Sequence, residues 1–180
     1  MGGHVPVDLV LKLKQHGNIK TFIETGTYRG ATAVWAAGYF DKVITIELSP
    51  ELLREAVIQH SEWCPTITFI PGNSKDELAR IVPTLDERAI FWLDAHYSGA
   101  STVGVEAECP LLGELEAIVS SKLLHYILID DAHMFTTTPP TPHNPAHWPS
   151  YDTIQTMLVL HGYVVKIIDD VIVALPFVVR

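Results

Sequence analysis

The chain has 180 residues, of which 48% are hydrophobic and only 18% charged, and its net charge is −9. This length fits one domain spanning residues 1–180 with a core of its own, and the apolar share excludes a disordered chain. The acidic balance excludes a nucleic-acid groove and gives no attraction to an anionic membrane surface, since both need clustered Lys and Arg.

The first residues, MGGHVPVDLVLKLKQHG, contain no signal-peptide apolar core, and no stretch is long enough to span a bilayer. The two cysteines, Cys64 and Cys109, are far apart and lack metal-type spacing, so free thiols in a cytoplasmic chain are expected. No assignment rests on Met1-Gly2-Gly3-His4. The first strand signal is the apolar pair Phe22-Ile23, which enters the turn Glu24-Thr25-Gly26-Thr27-Tyr28-Arg29-Gly30. A helix-like segment follows at residues 31–40, and a β-rich run at residues 43–46 ends in Glu47. Strand, glycine turn, helix, strand and terminal acid form the first half of a doubly wound sheet that binds a nucleoside. Gly26, having no Cβ, lets the backbone approach a ligand. Glu47, 21 residues after Gly26, can accept hydrogen bonds from both hydroxyls of a ribose. Because Gly-Thr-Tyr-Arg-Gly is not the G-x-G-x-x-G of a dinucleotide fold, an adenosine-bearing cofactor other than NAD is expected.

Residues 66–70 (TITFI) predict a third strand, stopped by Pro71-Gly72. Ser74 is the expected N-cap of a helix at residues 75–82, with Glu77 as its capping-box partner. Residues 89–93 (AIFWL) are continuously apolar, as a strand covered on both faces should be. Trp92, Phe91 and Trp35 are assigned to the core. A helix at residues 111–121 carries Leu112, Leu115, Ile118 and Val119 on one stripe, and residues 126–129 (YILI) are a fifth strand. Residues 132–150 are rich in Thr and Pro and are expected to form neither helix nor central strand. A helix at residues 151–161 ends at Gly162. The runs 163–168 and 171–179 are separated only by Asp169-Asp170, too short for a crossover, so they form an antiparallel hairpin. The expected fold is α/β, a Rossmann-like doubly wound sheet of seven strands, mostly parallel with a C-terminal antiparallel hairpin. The edge of that hairpin can pair with a second copy, as in a homodimer.

The turn Glu24-Thr25-Gly26-Thr27 with Gly30 resembles the first motif of class I S-adenosylmethionine-dependent methyltransferases, and Glu47 stands where that family places its ribose-binding acid. The resemblance extends from about residue 21 to the C-terminus, because five strand–helix units ending in a hairpin are that family's strand plan. It implies S-adenosylmethionine as cofactor, held by Glu24, Thr25, Gly26, Thr27, Gly30, Glu47 and Asp94. Asn73 and Ser74 resemble the family's adenine-contacting position. The turn departs from the family in carrying Thr25 and Thr27 where glycine or another small residue is common.

Three carboxylates close the central strands. Asp94 ends the fourth, in Phe-Trp-Leu-Asp-Ala-His, and Asp130-Asp131 end the fifth, in Ile-Leu-Ile-Asp-Asp-Ala-His. Adjacent strands lie about 5 Å apart, so these acids repel one another unless a cation neutralises them. Oxygen donors favour a hard ion, Mg²⁺, with Mn²⁺ or Ca²⁺ as competitors. The set resembles the divalent-metal site of catechol-O-methyltransferase-like and macrocin-type O-methyltransferases, which implies Asp94, Asp130 and Asp131 as metal ligands. The added feature is a histidine two residues after an aspartate, His96 and His133. Each is a candidate general base, a candidate metal ligand, or a partner of loop carbonyls. His96 is the stronger catalytic candidate, alongside Asp94 and His133. His125, at the opposite end of its strand, and His16, His60 and His161 are expected to be structural.

The loops at residues 97–109 and 132–150 leave the carboxyl ends of the strands, where ligands bind in open α/β sheets. His143, His147 and Trp148 suit a small polar acceptor such as a sugar or phenolic hydroxyl, bound by a small-molecule methyltransferase. Two alternatives remain open from sequence: a metal-dependent hydrolase built on the two Asp-x-His pairs, and a non-catalytic nucleoside-binding module.

Overall fold

The computed structural model describes residues 5–63, 65–96 and 108–177. Met1-Gly2-Gly3-His4, Cys64, most of the 97–109 loop and the last residues of the 171–179 run therefore lie outside the described residues. Cys109 is a free thiol.

Seven strands form one sheet in the order β3-β2-β1-β4-β5-β7-β6. They are β1 (Thr21–Thr25), β2 (Lys42–Glu47), β3 (Ile67–Pro71), β4 (Ala89–Leu93), β5 (Tyr126–Ile129), β6 (Tyr163–Ile168) and β7 (Val171–Pro176). The first five are mutually parallel, and β7 runs antiparallel to both β5 and β6. The expected sheet and hairpin are both present. Every residue of β1, β4 and β5 is buried, which explains why these strands read as unbroken apolar runs rather than as alternation.

Helices cover both faces. On one face α4 (Ser74–Ile81), α5 (Leu111–Val119) and α7 (Tyr151–Leu160) place Leu78, Leu115, Ile118, Ile154 and Leu158 against Ile23, Ile46, Phe91 and Ile127. On the other, α1 (Val7–Gly17) and α2 (Ala31–Ala37) place Val10, Leu13, Ala33 and Ala36 against Phe22, Val43, Ile90 and Trp92. Phe91 and Trp92 are therefore core residues on opposite faces of one strand, and Trp35 packs edge-on against Phe22. Among the described residues no helix is long and apolar enough to cross a membrane.

Several local expectations are corrected. Two helices escaped the pattern reading. The first is α1, closed by Asn18 in the left-handed region (φ 50). The second is α3 (Pro50–Gln59), whose N-cap Ser49 accepts from the Leu52 amide with Pro50 at the first helical position. The cap of α4 is Asn73, whose side chain accepts from the Lys75 amide, and Ser74 is already inside the helix. Glu77 makes no capping box but pairs with Arg80 at 2.7 Å. The 132–150 segment is not free of helix: α6 (His133–Thr136) is one turn formed in its proline-free beginning, and a 3₁₀ turn at Pro145–His147 is capped by Asn144. Proline is tolerated there because it stands in the first turn, where no backbone donor is needed.

His125 holds the amino ends of β4 and β5 together. Its Nδ1 accepts from the Ala89 amide at 3.1 Å, and its Nε2 meets the Ser121 hydroxyl at 3.0 Å. The ring is fully buried, and burial, aided by the nearby Arg88 charge, pushes its pKa from 6.5 down to about 4. A histidine held neutral in the fold but free to protonate when unfolded stabilises the fold fully above pH 6.5 and loses that stabilisation as pH falls towards 4. The lost contribution is on the order of 3 kcal/mol. Urea unfolding between pH 7 and 4 should show a smaller loss of stability in His125→Asn than in the unaltered chain. Parallel profiles for the two would mean that the histidine does not titrate in the unfolding equilibrium.

Candidate functional site

The parallel ladder continues one residue past the strands. The Asp94 amide donates to the Thr25 carbonyl at 3.1 Å and the Asp130 amide to the Leu93 carbonyl at 3.1 Å, so Gly26, Asp94 and Asp130 stand side by side at one edge. Glu47 ends β2 at the same edge. The turn of the β6–β7 hairpin arrives there too, because Ile129 pairs with Ile172 and Ile168 with Val171. All the candidate residues from the strand ends thus share the carboxyl edge. It includes the point between β1 and β4 where strand order reverses, the usual ligand crevice of such sheets.

The first motif is turned largely inward. Glu24 is buried beneath the turn and accepts from the Thr45 hydroxyl at 2.7 Å, and Thr45 in turn meets Thr27 Oγ1 at 2.6 Å. Burial pushes the Glu24 carboxyl up to about 8, so it is largely protonated at neutral pH. Thr25 Oγ1 accepts from the Asp94 amide at 3.3 Å. Gly26 has φ +83, and a Cβ there would lie 2.3 Å from the Asp94 carbonyl oxygen. The space a side chain would fill at Gly26 is taken by the backbone leaving β4. Gly30 caps α2 at φ 78 and lies against the His60 ring. Glu47 is held by two backbone amides, Tyr28 to Oε2 at 2.8 Å and Ser49 to Oε1 at 2.9 Å. That grip fixes the carboxylate while leaving it lone pairs for further donors.

The three strand-end aspartates form a row with His96. The His96 ring stands between two of them, with Nε2 at 3.0 Å from Asp131 Oδ2 and Nδ1 at 3.7 Å from Asp94 Oδ1. Its other neighbour is the Trp148 ring, centroids 5.3 Å apart. Burial alone would lower the pKa of His96, but the Asp131 hydrogen bond and the charges of Asp94 and Asp130 outweigh it and raise it. Asp94 is pushed up to about 7 by burial, against the pull of His96, with Asp130, Asp131 and Glu114 adding repulsion. Asp130 is raised by burial, and its Oδ2 is buried without a hydrogen-bond partner. Asp131 is lowered by the His96 hydrogen bond. Two raised carboxyls and an orphaned carboxylate oxygen are what a cation would relieve, although the carboxylate oxygens of Asp94, Asp130 and Asp131 do not all come within 4.8 Å of one another.

His133 is not in this row. It is 56% exposed and turned towards the hairpin, with Nδ1 2.7 Å from Asp170 Oδ2 and its amide donating to Asp170 Oδ1 at 2.7 Å. Asn73 and Ser74 lie beyond β3 at the same edge, but the Asn73 carbonyl oxygen of the side chain is engaged in capping and Ser74 is buried against Glu114.

Two acids were missed in the sequence. Glu114 of α5 is 1% exposed, with Ser74 and Thr25 as its hydroxyl neighbours and Oε1 without a partner, and burial raises its pKa to about 7. Its position in a helix stripe between leucines was the available signal. Glu108 is buried and gathers the Thr/Pro segment. It accepts from the Asn144 amide at 3.0 Å and from the Trp148 indole at 2.8 Å, with His143 Nδ1 at 3.4 Å. Burial opposes its ionisation, but these donors prevail and its pKa is lowered. Trp148, packed against His96, His143 and Phe135, is thereby fixed over the row of acids.

No protein-family model matches the chain, and no curated protein matches it in sequence. Solved structures match nearly its whole length. Cofactor-bound Rv0187 from MTB has a TM-score of 0.66 at 16% identity, over 97% of this chain and 82% of that one. The O-methyltransferase TomG from Streptomyces achromogenes, in complex with SAM, has a TM-score of 0.64 at 14% identity, over 97% and 81%. The O-methyltransferase from Bacillus cereus, in complex with SAH, has a TM-score of 0.59 at 15% identity, over 97% and 83%. At these identities the likeness is one of fold, and the fold is that of class I S-adenosylmethionine-dependent methyltransferases.

The contact at Gly26 generates a direct test. Gly26→Ala combines a left-handed backbone with a Cβ driven onto the Asp94 carbonyl, and should destabilise the chain by more than about 1 kcal/mol. Chemical denaturation checks this, and a variant as stable as the unaltered chain would show that the turn relaxes away from β4.

Proposed function

We propose that this chain is an S-adenosylmethionine-dependent methyltransferase acting on a hydroxyl of a small polar molecule, a sugar or a phenol, with a divalent cation held by Asp94, Asp130 and Asp131. One observation carries the proposal. In the sheet order of the methyltransferase fold, a fixed acid at the end of β2 and a row of three aspartates with a histidine at the ends of β4 and β5 share one edge of the sheet. A hydrolase reading would leave the Glu24–Thr45–Thr27 chain and the Glu47 grip without a use.

Glu47 is the residue that would take the two ribose hydroxyls of the cofactor, its carboxylate oriented by the Tyr28 and Ser49 amides. The turn from Glu24 to Gly30 sets the floor beneath the cofactor's amino-acid end, and Asn73 and Ser74 border the adenine. A divalent cation, Mg²⁺ or one of its competitors Mn²⁺ and Ca²⁺, supplies Lewis acidity that lowers the pKa of an acceptor hydroxyl. In the transfer an oxygen–carbon bond forms as the sulfonium carbon–sulfur bond breaks, leaving a methyl ether and S-adenosylhomocysteine. His96 takes the hydroxyl proton, and Asp131 and Asp94 on either side stabilise the imidazolium. Trp148, with His143 beside it, closes the acceptor side and excludes water. Holding the three reacting atoms in line supplies much of the rate enhancement. His133, paired outward with Asp170, is a weaker candidate for the base than His96.

The His96 ring between two carboxylates also favours a second reading, in which the imidazole itself neutralises the acids and transfer proceeds without a metal.

S-adenosylhomocysteine should bind and raise the melting temperature. Glu47→Ala should weaken that binding by about 1.5–3 kcal/mol, the range for hydrogen bonds to a charged group, as measured by calorimetry. Unchanged affinity in the variant would remove Glu47 from the ribose site, and no binding by the unaltered chain would remove the methyltransferase reading. With an accepted substrate, turnover should vanish in EDTA and return with Mg²⁺ or Mn²⁺. Turnover that persists in chelator selects the metal-free reading.

A further inference from the structure

The β6–β7 turn brings a second set of donors beside the aspartate row. Asp131, His133 and Asp170 each offer one ligand atom, and the three atoms lie within 4.8 Å of one another. An ion bonded at about 2.0–2.2 Å holds its ligands up to roughly 4.2 Å apart, so small side-chain movements gather the set. The donors come from two elements that the sheet fixes together, because β5 and β7 are hydrogen-bonded neighbours at this edge.

The donors are also held in place by backbone. Asp170 Oδ1 accepts from the His133 amide at 2.7 Å, and the Asp170 carbonyl accepts from the Ala132 amide at 2.7 Å. Oδ2 is thereby left facing His133 Nδ1, at 2.7 Å. A further acid lies next to this corner in sequence. Asp130, adjoining the set, is 2% exposed with Oδ2 unpartnered, and both Asp131 and Asp170 act on it as like charges. Two aspartates, Asp131 and Asp170, converge on this corner with His133 as the added donor.

We infer that Asp131, His133 and Asp170 form a binding site for a first-row transition cation, of the Zn²⁺, Mn²⁺ or Fe²⁺ class, which ties the hairpin turn to the end of β5. An imidazole with two carboxylates selects borderline ions over Mg²⁺, which distinguishes this site from the all-oxygen set of Asp94, Asp130 and Asp131. An ion entering here takes the lone pair of His133 Nδ1, and the N–H that faces Asp170 Oδ2 moves to Nε2 of the ring. The site shares Asp131 with the set proposed for methyl transfer, whereas Asp170 belongs to this site alone.

Co²⁺ titrated into metal-free, full-length chain, followed by calorimetry and visible absorption, tests this. Saturable binding is expected. His133→Gln and Asp170→Asn should each weaken it by about tenfold or more, whereas Asp94→Asn should leave it within a few-fold. In the unaltered chain, which removes any concern over folding of the variants, the histidine ring signals moved by paramagnetic Co²⁺ should include those of His133. Absence of saturable binding at millimolar Co²⁺ overturns the site and leaves the trio an ion pair. Binding that survives Asp170→Asn but is lost in Asp94→Asn, or ring shifts confined to His96, also overturns it. Affinity for S-adenosylhomocysteine, measured on the same samples, reports separately on the methyltransferase reading.

Discussion

The site depends on a single backbone constraint, the continuation of the parallel ladder beyond β1, β4 and β5. Two amide–carbonyl bonds, Asp94 to Thr25 and Asp130 to Leu93, fix where the chain leaves the sheet. They place two acids on neighbouring strands at the spacing of the ladder itself, about 5 Å. Gly26 permits it, since any side chain there would strike the Asp94 carbonyl. Without that close approach β4 would turn away earlier, and Asp94 would not stand beside Asp130. The first-motif glycine therefore serves the second half of the site as much as the first.

Gathering acids at one edge of an acidic chain raises an electrostatic problem, which the fold meets in three ways. Glu24 and Glu114 are buried deeply enough that their pKa values rise to about 8 and about 7, so near pH 7 Glu24 is largely neutral and Glu114 is divided between its neutral and charged forms. Glu47 and Glu108 are instead satisfied by donors, two backbone amides for the first, and a backbone amide, an indole N–H and a neighbouring histidine for the second. Asp94 and Asp131 receive the His96 ring and Asp130 a backbone hydrogen bond from Asp131, with Asp130 Oδ2 left unpartnered. The unfinished compensation in that last group distinguishes the crevice from the rest of the molecule, and it is the physical basis for placing cation chemistry there.

The proline-rich segment gains its order from the same economy of charge. Glu108 lies just before α5, yet its hydrogen bonds go to Asn144 and Trp148, 36 and 40 residues later. One buried carboxylate thus positions the Trp148 ring over His96 and links the acceptor side of the crevice to the helix that packs beneath β4. Beyond its own short-range backbone bonds, the segment is held by a side chain far away in sequence, which is how a long loop in a compact fold keeps a defined shape.

The sequence by itself determined the sheet. Apolar runs of strand length, turn residues between them and a two-residue Asp169-Asp170 connection specify five parallel strands and a hairpin, because burial on both faces and short connections are local properties. It also placed Glu47, Asp94, Asp130 and Asp131 at strand ends, since strand ends are read from where the apolar run stops. Helices α1 and α3 were legible in principle, α3 through Ser49-Pro50-Glu51, but their mixed apolar patterns are weak beside the strands. Only the tertiary structure decided which groups meet. That Gly26 packs on the Asp94 backbone follows from strand order, as does the separation of His96, inside the row of acids, from His133, drawn away by Asp170. Two identical Asp-x-His spacings took different roles because one strand lies in the middle of the sheet beside β1 and the other borders the hairpin. Glu108 and Glu114 became visible only through the partners that surround them, which come from parts of the chain whose distance in sequence carries no signal.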